Sequence, residues 1–133
     1  MNISVRYYSR GGNTKLLAES IAKDLNVSAI SVDSDNSEIK DDVDVLFIGG
    51  ALYVYGLDKN LNKYIENLDA KKIKRAVAFS TSWLSKHSID LIKKGLMKKG
   101  IKVEEEDCYY KGKPSENDLK EAESFAKRIV ENA

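Results

Sequence analysis

Six consecutive residues, Ser9-Arg10-Gly11-Gly12-Asn13-Thr14, combine two glycines with three short side chains that donate hydrogen bonds. They stand between an apolar run, Ile3 to Tyr8, and an amphipathic run, Lys15 to Leu25. Glycine lets a backbone reach φ > 0 and approach a ligand closely, and the first N–H groups of a helix have no intrahelical partner. A strand-to-helix turn of this composition suits a phosphate, with Ser9, Asn13 and Thr14 adding donors beside the backbone nest. The same residues equally suit an ordinary loop with a helix cap. No Lys follows the second glycine, which excludes the Walker loop, and the glycine spacing excludes the dinucleotide fingerprint.

The elements that must position this turn follow from periodicity. Ile3 to Tyr8 is rich in β-branched and aromatic residues and reads as a strand. Leu17, Ile21 and Leu25, flanked by Ala18 and Ala22, mark the first helix. Val27 to Val32 reads as a second strand, and the polar stretch Asp33 to Asp42 has room for a turn or two of helix at most. Val43 to Gly50 is nearly all apolar, the pattern of a strand covered on both faces. After a loop, Ala51 to Leu57, the residues Leu61, Tyr64, Ile65 and Leu68 mark another helix. A strand at Ala76 to Ser80 and a loop at Thr81 to His87 precede a helix marked by Ile89, Ile92, Leu96 and Met97, with Gly100 as its left-handed end. Ile101 to Cys108 reads as the fifth strand. Pro114, with Ser115 and Asp118 at capping-box spacing, opens a final helix with Leu119, Ala122, Phe125, Ala126, Ile129 and Val130 on its apolar face.

Strands alternating with helices imply parallel pairing through right-handed crossovers. The expected fold is α/β, a three-layer doubly wound sandwich around a five-stranded parallel sheet of order 2-1-3-4-5. The first and third strands, the most apolar, sit at its middle. In that order the topological switch lies between the carboxyl ends of the first and third strands, where ligands bind. Three loops meet there: Ser9 to Thr14, Gly50 to Leu57 and Thr81 to His87. The second carries Leu52, Tyr53 and Tyr55, and the third carries the only Trp, Trp83. Aromatic side chains at the rim of one crevice fit a flat aromatic ligand. Each also has a plain reading as a core residue.

Composition narrows the function classes. The chain has 133 residues, enough for one domain, 1–133, with its own core. No apolar run approaches the roughly 20 residues of a membrane span, and the first residues lack the pattern of a secretory leader, so an unexported, soluble protein is expected. A single cysteine, Cys108, excludes an internal disulfide and fits a reducing cytoplasm, the expected location. One Cys with one His, His87, leaves little for a zinc site, and no metal is expected. The net charge of +1 favours neither nucleic acid nor an acidic surface. The halves differ: through Ala70 there are 7 basic and 11 acidic residues, a balance of −4, and from Lys71 onward 15 and 10, a balance of +5. His87 reads as an exposed residue at a helix start, with a proton donor at the rim of the crevice as its alternative, and Cys108 as a small buried apolar residue, with a redox role as its alternative. No nucleophile or carboxylate pair stands out as catalytic.

On these residues the sequence resembles the flavodoxin family. Ser9 to Thr14 is similar to the family's phosphate loop, usually Ser/Thr-x-Thr-Gly-Asn-Thr. Phe47-Ile48-Gly49-Gly50-Ala51-Leu52-Tyr53 resembles the strand and loop before its first flavin-flanking aromatic residue. Cys108-Tyr109-Tyr110-Lys111-Gly112-Lys113-Pro114-Ser115 resembles the segment after the fifth strand. The resemblance covers essentially the whole chain and implies noncovalent FMN and electron transfer to redox partner proteins or small-molecule donors and acceptors. It assigns the cofactor site to Ser9, Arg10, Gly11, Gly12, Asn13 and Thr14; to Ala51, Leu52, Tyr53, Val54, Tyr55 and Gly56; and to Thr81, Ser82 and Trp83.

Three departures from the family pattern carry consequences. Gly11 stands where many members have Thr, which removes a hydroxyl, while Arg10 offers a charge that the usual loop lacks. Val54 stands where electron carriers place a glycine whose peptide flips on reduction. Val resists φ > 0, so poor stabilisation of the one-electron-reduced flavin is expected. The Gly-x-Gly-Asp string after the fourth strand is replaced by Thr81-Ser82-Trp83-Leu84. Electron-carrying members are strongly acidic and this chain is near neutral, so its partners are expected to differ. An FMN-dependent oxidoreductase using a quinone or NAD(P)H, similar to the small protoporphyrinogen oxidases, is the alternative within the family. A flavin-free interaction domain is the alternative outside catalysis. A receiver-type signalling domain is disfavoured, because Tyr7-Tyr8-Ser9 and Gly49-Gly50 stand where its acids belong.

Overall fold

Apolar runs that alternate with amphipathic ones leave the chain one economical packing, a sheet between two helical layers. In the computed structural model, which describes residues 1–53 and 56–133, five parallel strands form that sheet. They are β1 (Ile3–Tyr7), β2 (Ala29–Ser31), β3 (Val45–Gly50), β6 (Ala76–Ser80) and β7 (Cys108–Tyr109). A two-stranded antiparallel hairpin, β4 (Leu52–Tyr53) with β5 (Gly56–Leu57), stands apart. The helices are α1 (Asn13–Lys23), α2 (Lys59–Glu66), α3 (His87–Lys98) and α4 (Glu116–Glu131).

The sheet order is β2-β1-β3-β6-β7. With the hairpin set aside this is the expected 2-1-3-4-5. β3 lies at the centre, pairing Ile3 to Tyr7 on one side and Ala76 to Ser80 on the other, and all six of its residues are buried. Strand alternation divides the core. Leu46, Ile48, Ala76 and Ala78 pack with Leu61 and Ile65 of α2 and Ile89, Ile92 and Leu96 of α3. Val5, Tyr7, Val45, Phe47, Val77 and Phe79 pack with Leu17 and Ile21 of α1 and Ala122, Ala126 and Ile129 of α4. Each fully buried Leu, Ile or Phe contributes about 1.5–3 kcal/mol relative to an exposed one.

Several boundaries differ from the sequence reading. The segment Ala51 to Leu57, expected as a loop, contains the hairpin. The fifth strand, expected over Ile101 to Cys108, reduces to Cys108–Tyr109 with one bridge at Val103, because Glu104-Glu105-Glu106-Asp107 interrupts the apolar pattern. The second strand is confined to Ala29–Ser31, and 33–42 forms turns without helix. Met97 is exposed and takes no part in the core. The final helix starts as expected: Ser115 Oγ accepts from the Asp118 N–H at 3.1 Å, and the Asp118 carboxylate accepts from the Ser115 N–H at 2.9 Å.

The polar stretch is anchored from the sheet. Arg6 is buried, and its Nε donates to the Ser37 carbonyl at 2.9 Å, where the Tyr64 hydroxyl also donates. A buried cation satisfied by carbonyls in this way fastens an otherwise irregular segment to β1.

Candidate functional site

The carboxyl ends of β1, β3 and β6 bring the three expected loops together around a cleft of about 310 Å³. It is lined by Ser9, Gly11, Asn13, Thr14, Ala51, Leu52, Tyr53, Thr81, Ser82, Trp83 and Leu84. Of the expected site residues, Arg10, Gly12 and Gly56 lie outside this lining. Val54 and Tyr55 lie outside the described residues.

The first wall is the start of α1. Gly12 occupies its N-cap position in a left-handed conformation, φ +96°, which glycine adopts without strain, and no side chain caps the helix. The first backbone bond that α1 closes runs from the Leu16 N–H to the Gly12 carbonyl at 3.1 Å. The N–H groups of the preceding residues, Asn13 to Lys15, therefore end the helix unpaired among the described residues, a position that favours an anion. A Cβ built on Gly11 meets nothing within 4 Å, so the backbone is open to close approach. Ser9 Oγ accepts from the Gly12 N–H at 3.0 Å, which shapes the turn and leaves the Ser9 O–H free to donate.

Thr14 and Thr81, both buried, join the first wall to the third through hydroxyl oxygens 2.7 Å apart. Two hydroxyls have two protons and their mutual bond uses one, so the pair retains a donor. This hydroxyl, the Ser9 hydroxyl and the helix N-terminus form a donor set matched to a phosphate, without a cation among the described residues of the cleft lining.

Arg10 takes a different place from the one its charge suggested. Its Nε donates to Asp58 Oδ2 at 2.8 Å, a second nitrogen lies 2.5 Å from the same oxygen, and the guanidinium sits 3.8 Å over the Tyr53 ring. Asp58 is almost wholly buried and is the N-cap of α2, accepting from the Asn60 N–H at 2.7 Å. Arg10 thus ties the phosphate-suited turn to the hairpin and to α2, and supplies a cation–π contact to the ring that lines the cleft. Burial pushes the Tyr53 phenol above its ordinary pKa against the pull of Arg10, and the hydrogen bond to Asp58 pushes the guanidinium's pKa higher still. Sequence reading passed over Asp58, although an Asp directly before an amphipathic run is a recognisable N-cap signal.

The third wall carries Trp83, whose side chain is no core residue: it is 66% exposed, and its neighbour Leu84 is 63% exposed. The indole is nevertheless held in place. It lies against Gly112, where φ is +76° and any Cβ would overlap the ring. The Tyr109 hydroxyl donates to the Ser82 carbonyl at 2.5 Å, and the Ser80 and Ser88 hydroxyls lie 2.6 Å apart beneath the loop. The string Lys111-Gly112-Lys113 therefore has a positioning part that only the tertiary structure displays.

His87 begins α3 as an exposed residue, 3.8 Å from Asp90, and does not line the cleft. Cys108 is buried, and loss of hydration pushes its thiol pKa up to about 12. It is expected to resist alkylation by iodoacetamide at pH 8 in the folded protein and to react fully in denaturant. Mass spectrometry of both samples checks this. Among the described residues no cluster of three or more His, Cys, Asp or Glu is placed to hold a metal, and no helix is long and apolar enough to cross a membrane.

Residues 4–127 match the family model of the flavodoxin domain. An uncharacterized protein of Methanocaldococcus jannaschii is 28% identical over 138 residues, covering 90% of this chain and 91% of its own. Among solved structures, flavodoxin 1 of Bacillus cereus superposes with a TM-score of 0.81 at 19% identity, covering 100% of this chain and 99% of its own. The rubredoxin oxygen:oxidoreductase of Desulfovibrio gigas superposes with a TM-score of 0.83 at 19% identity over 98% of this chain. This chain spans only 35% of the length of that oxidoreductase. The family match extends over nearly the whole chain, on a sheet of the order that the alternating elements require, and the chain belongs to the flavodoxin family.

Proposed function

We propose that this chain binds FMN in the switch-point cleft and acts as an electron carrier. One observation carries the reading: the uncapped N-terminus of α1 opens on the same cleft that Tyr53 and Trp83 line. A phosphate-suited donor set beside two aromatic rings matches the two chemistries of a flavin mononucleotide. FMN, when bound, supplies reversible one- and two-electron chemistry. The protein's part is placement. The Ser9 hydroxyl, the Thr14 and Thr81 pair and the first turn of α1 hold the phosphate. Tyr53, backed by Arg10, and Trp83, backed by Gly112, offer ring faces to the isoalloxazine. Ala51 and Leu52, both half-buried, give the cleft an apolar wall, which weakens hydration of any charge placed there.

Among the described residues the cleft lining contains no His, Cys, Asp, Glu or Lys. No described side chain there titrates near neutral pH, which favours a carrier over an FMN-dependent oxidoreductase that must move protons to or from a substrate. The single free thiol fits a reducing cytoplasm.

Trp83 is the only tryptophan, so its emission reports on the cleft alone. FMN titrated into the protein is expected to quench Trp83 emission and to lose its own fluorescence in parallel, saturating at one equivalent. Emission unchanged at micromolar FMN would sink the proposal. Stopped-flow mixing of the FMN-loaded protein with NAD(P)H or a quinol separates the two roles, since a carrier does not turn over.

A further inference from the structure

The segments around the cleft differ in charge from the chain as a whole. Residues 8–15, 51–58, 81–87 and 110–115 together carry five cations, Arg10, Lys15, Lys86, Lys111 and Lys113, against one carboxylate, Asp58. That carboxylate is buried beneath Arg10. These segments themselves therefore contribute lysines and no free carboxylate, while Asp107 and Glu121 reach them from outside. Lys15, Lys111 and Lys113 are exposed without an ion-pair partner among the described residues, and Lys86, also exposed, leans on Asp107 at 3.2 Å.

Beside these lysines stand Trp83 and Leu84, which with the N-terminal methionine are the three most exposed large apolar side chains among the described residues. The two loops involved form one surface. Trp83 packs on Gly112, between Lys111 and Lys113, and Tyr109 is bonded to Ser82. An aromatic and an aliphatic side chain exposed together, with the unpaired Lys111 and Lys113 flanking the glycine on which the indole packs, have the composition of a recognition patch with an apolar centre and a polar rim. Fixing Trp83 against Gly112 removes much of the ordering cost that a mobile indole would incur on association.

We propose that this face docks an acidic electron-transfer protein, with Trp83 and Leu84 as the apolar contact and Lys15, Lys86, Lys111 and Lys113 steering the partner's carboxylates. The inference rests on the electron-carrier reading, because it names the class of partner that such a cleft serves. Four lysines beside an apolar pair suit a compact protein patch better than nucleic acid, which lays its phosphates along an extended cationic track. Exposed charge pairs are individually weak but act together on encounter, so the association must weaken with salt.

The test uses the full chain with two probes of similar size, an acidic [2Fe–2S] ferredoxin and the basic cytochrome c, and measures Kd at low and at physiological ionic strength. The ferredoxin is expected to bind at least tenfold more tightly than cytochrome c at low salt and to lose that margin as salt rises. The double variant Lys111→Glu/Lys113→Glu is expected to weaken ferredoxin binding at least tenfold. Leu84→Ser should weaken it in a manner that salt does not change. Lys71→Glu/Lys74→Glu, a reversal just before β6 at the amino ends of the strands and so at the far end of the sheet from the cleft, should leave it unaltered. Equal binding of both probes, or indifference to the Lys111/Lys113 reversal, overturns the proposal; so does a single-stranded RNA that binds more tightly than the ferredoxin. FMN titration of the same samples keeps the two readings apart. Ferredoxin binding without FMN binding condemns the cofactor assignment alone, and FMN binding without ferredoxin binding condemns the docking face alone.

Discussion

Gly49→Ala is expected to destabilise the fold by about 3 kcal/mol or more. Gly49 sits directly opposite Phe79 in the β3–β6 register. A Cβ there would overlap both the Phe79 ring and the Phe79 carbonyl oxygen. The ring is fully buried and packed between the sheet and the α1 and α4 layer, so it has no alternative rotamer to retreat into. The carbonyl belongs to a strand in register on both sides and is fixed more firmly still. Gly11→Ala provides the contrast. A Cβ at Gly11 meets nothing within 4 Å and its φ is not positive, so a change of no more than about 0.5 kcal/mol is expected. Urea unfolding followed by far-UV circular dichroism measures both. A Gly49→Ala midpoint equal to that of the wild type would mean that β3 and β6 are not in this register.

The same pair of strands shows what a sequence can and cannot disclose. Val43 to Gly50 is apolar on both faces, which is sufficient to place it in the middle of a parallel sheet beside the equally apolar first strand, in keeping with the observed order. The alternation of Leu17, Ala18, Ile21 and Ala22, and the Ser115 to Asp118 box, are local signals that the structure repeats almost residue for residue. The hairpin at Leu52–Tyr53 and Gly56–Leu57 escapes because two residues a side give no period to detect, and its hold on the body combines burial of Leu57 in the core with the bond between Arg10 and Asp58, 48 positions apart in the chain. Tertiary geometry, too, decides which donors remain open in the turn. Ser9 accepts from the Gly12 N–H and keeps its own proton to donate, Thr14 is joined to Thr81 across 67 positions, and the Arg10 guanidinium is bonded to Asp58. Residue types in the turn were legible; the partners of those residues were not.

Thr14→Val is expected to weaken FMN about ten- to a hundredfold, and Thr14→Ser to restore most of the loss. A hydrogen bond from a hydroxyl to a charged group contributes roughly 1.5–3 kcal/mol, and about 1.4 kcal/mol corresponds to a factor of ten in Kd. Thr14 is 2% and Thr81 4% exposed, so neither hydroxyl has water as a ready substitute. Valine keeps the shape and deletes the oxygen, leaving Thr81 without its partner at 2.7 Å. Serine keeps the oxygen and gives up only a methyl group, so rescue by serine identifies the hydroxyl, rather than packing, as the contributor. Arg10→Ala is expected to weaken FMN by less, because the guanidinium is held by Asp58 and Tyr53 and acts on the cleft through the ring. FMN fluorescence quenching across the four proteins decides the order. Wild-type affinity in Thr14→Val, with a large loss in Arg10→Ala, would move the phosphate away from the α1 N-terminus and onto the arginine, and the donor set assigned to the cleft would fall with it.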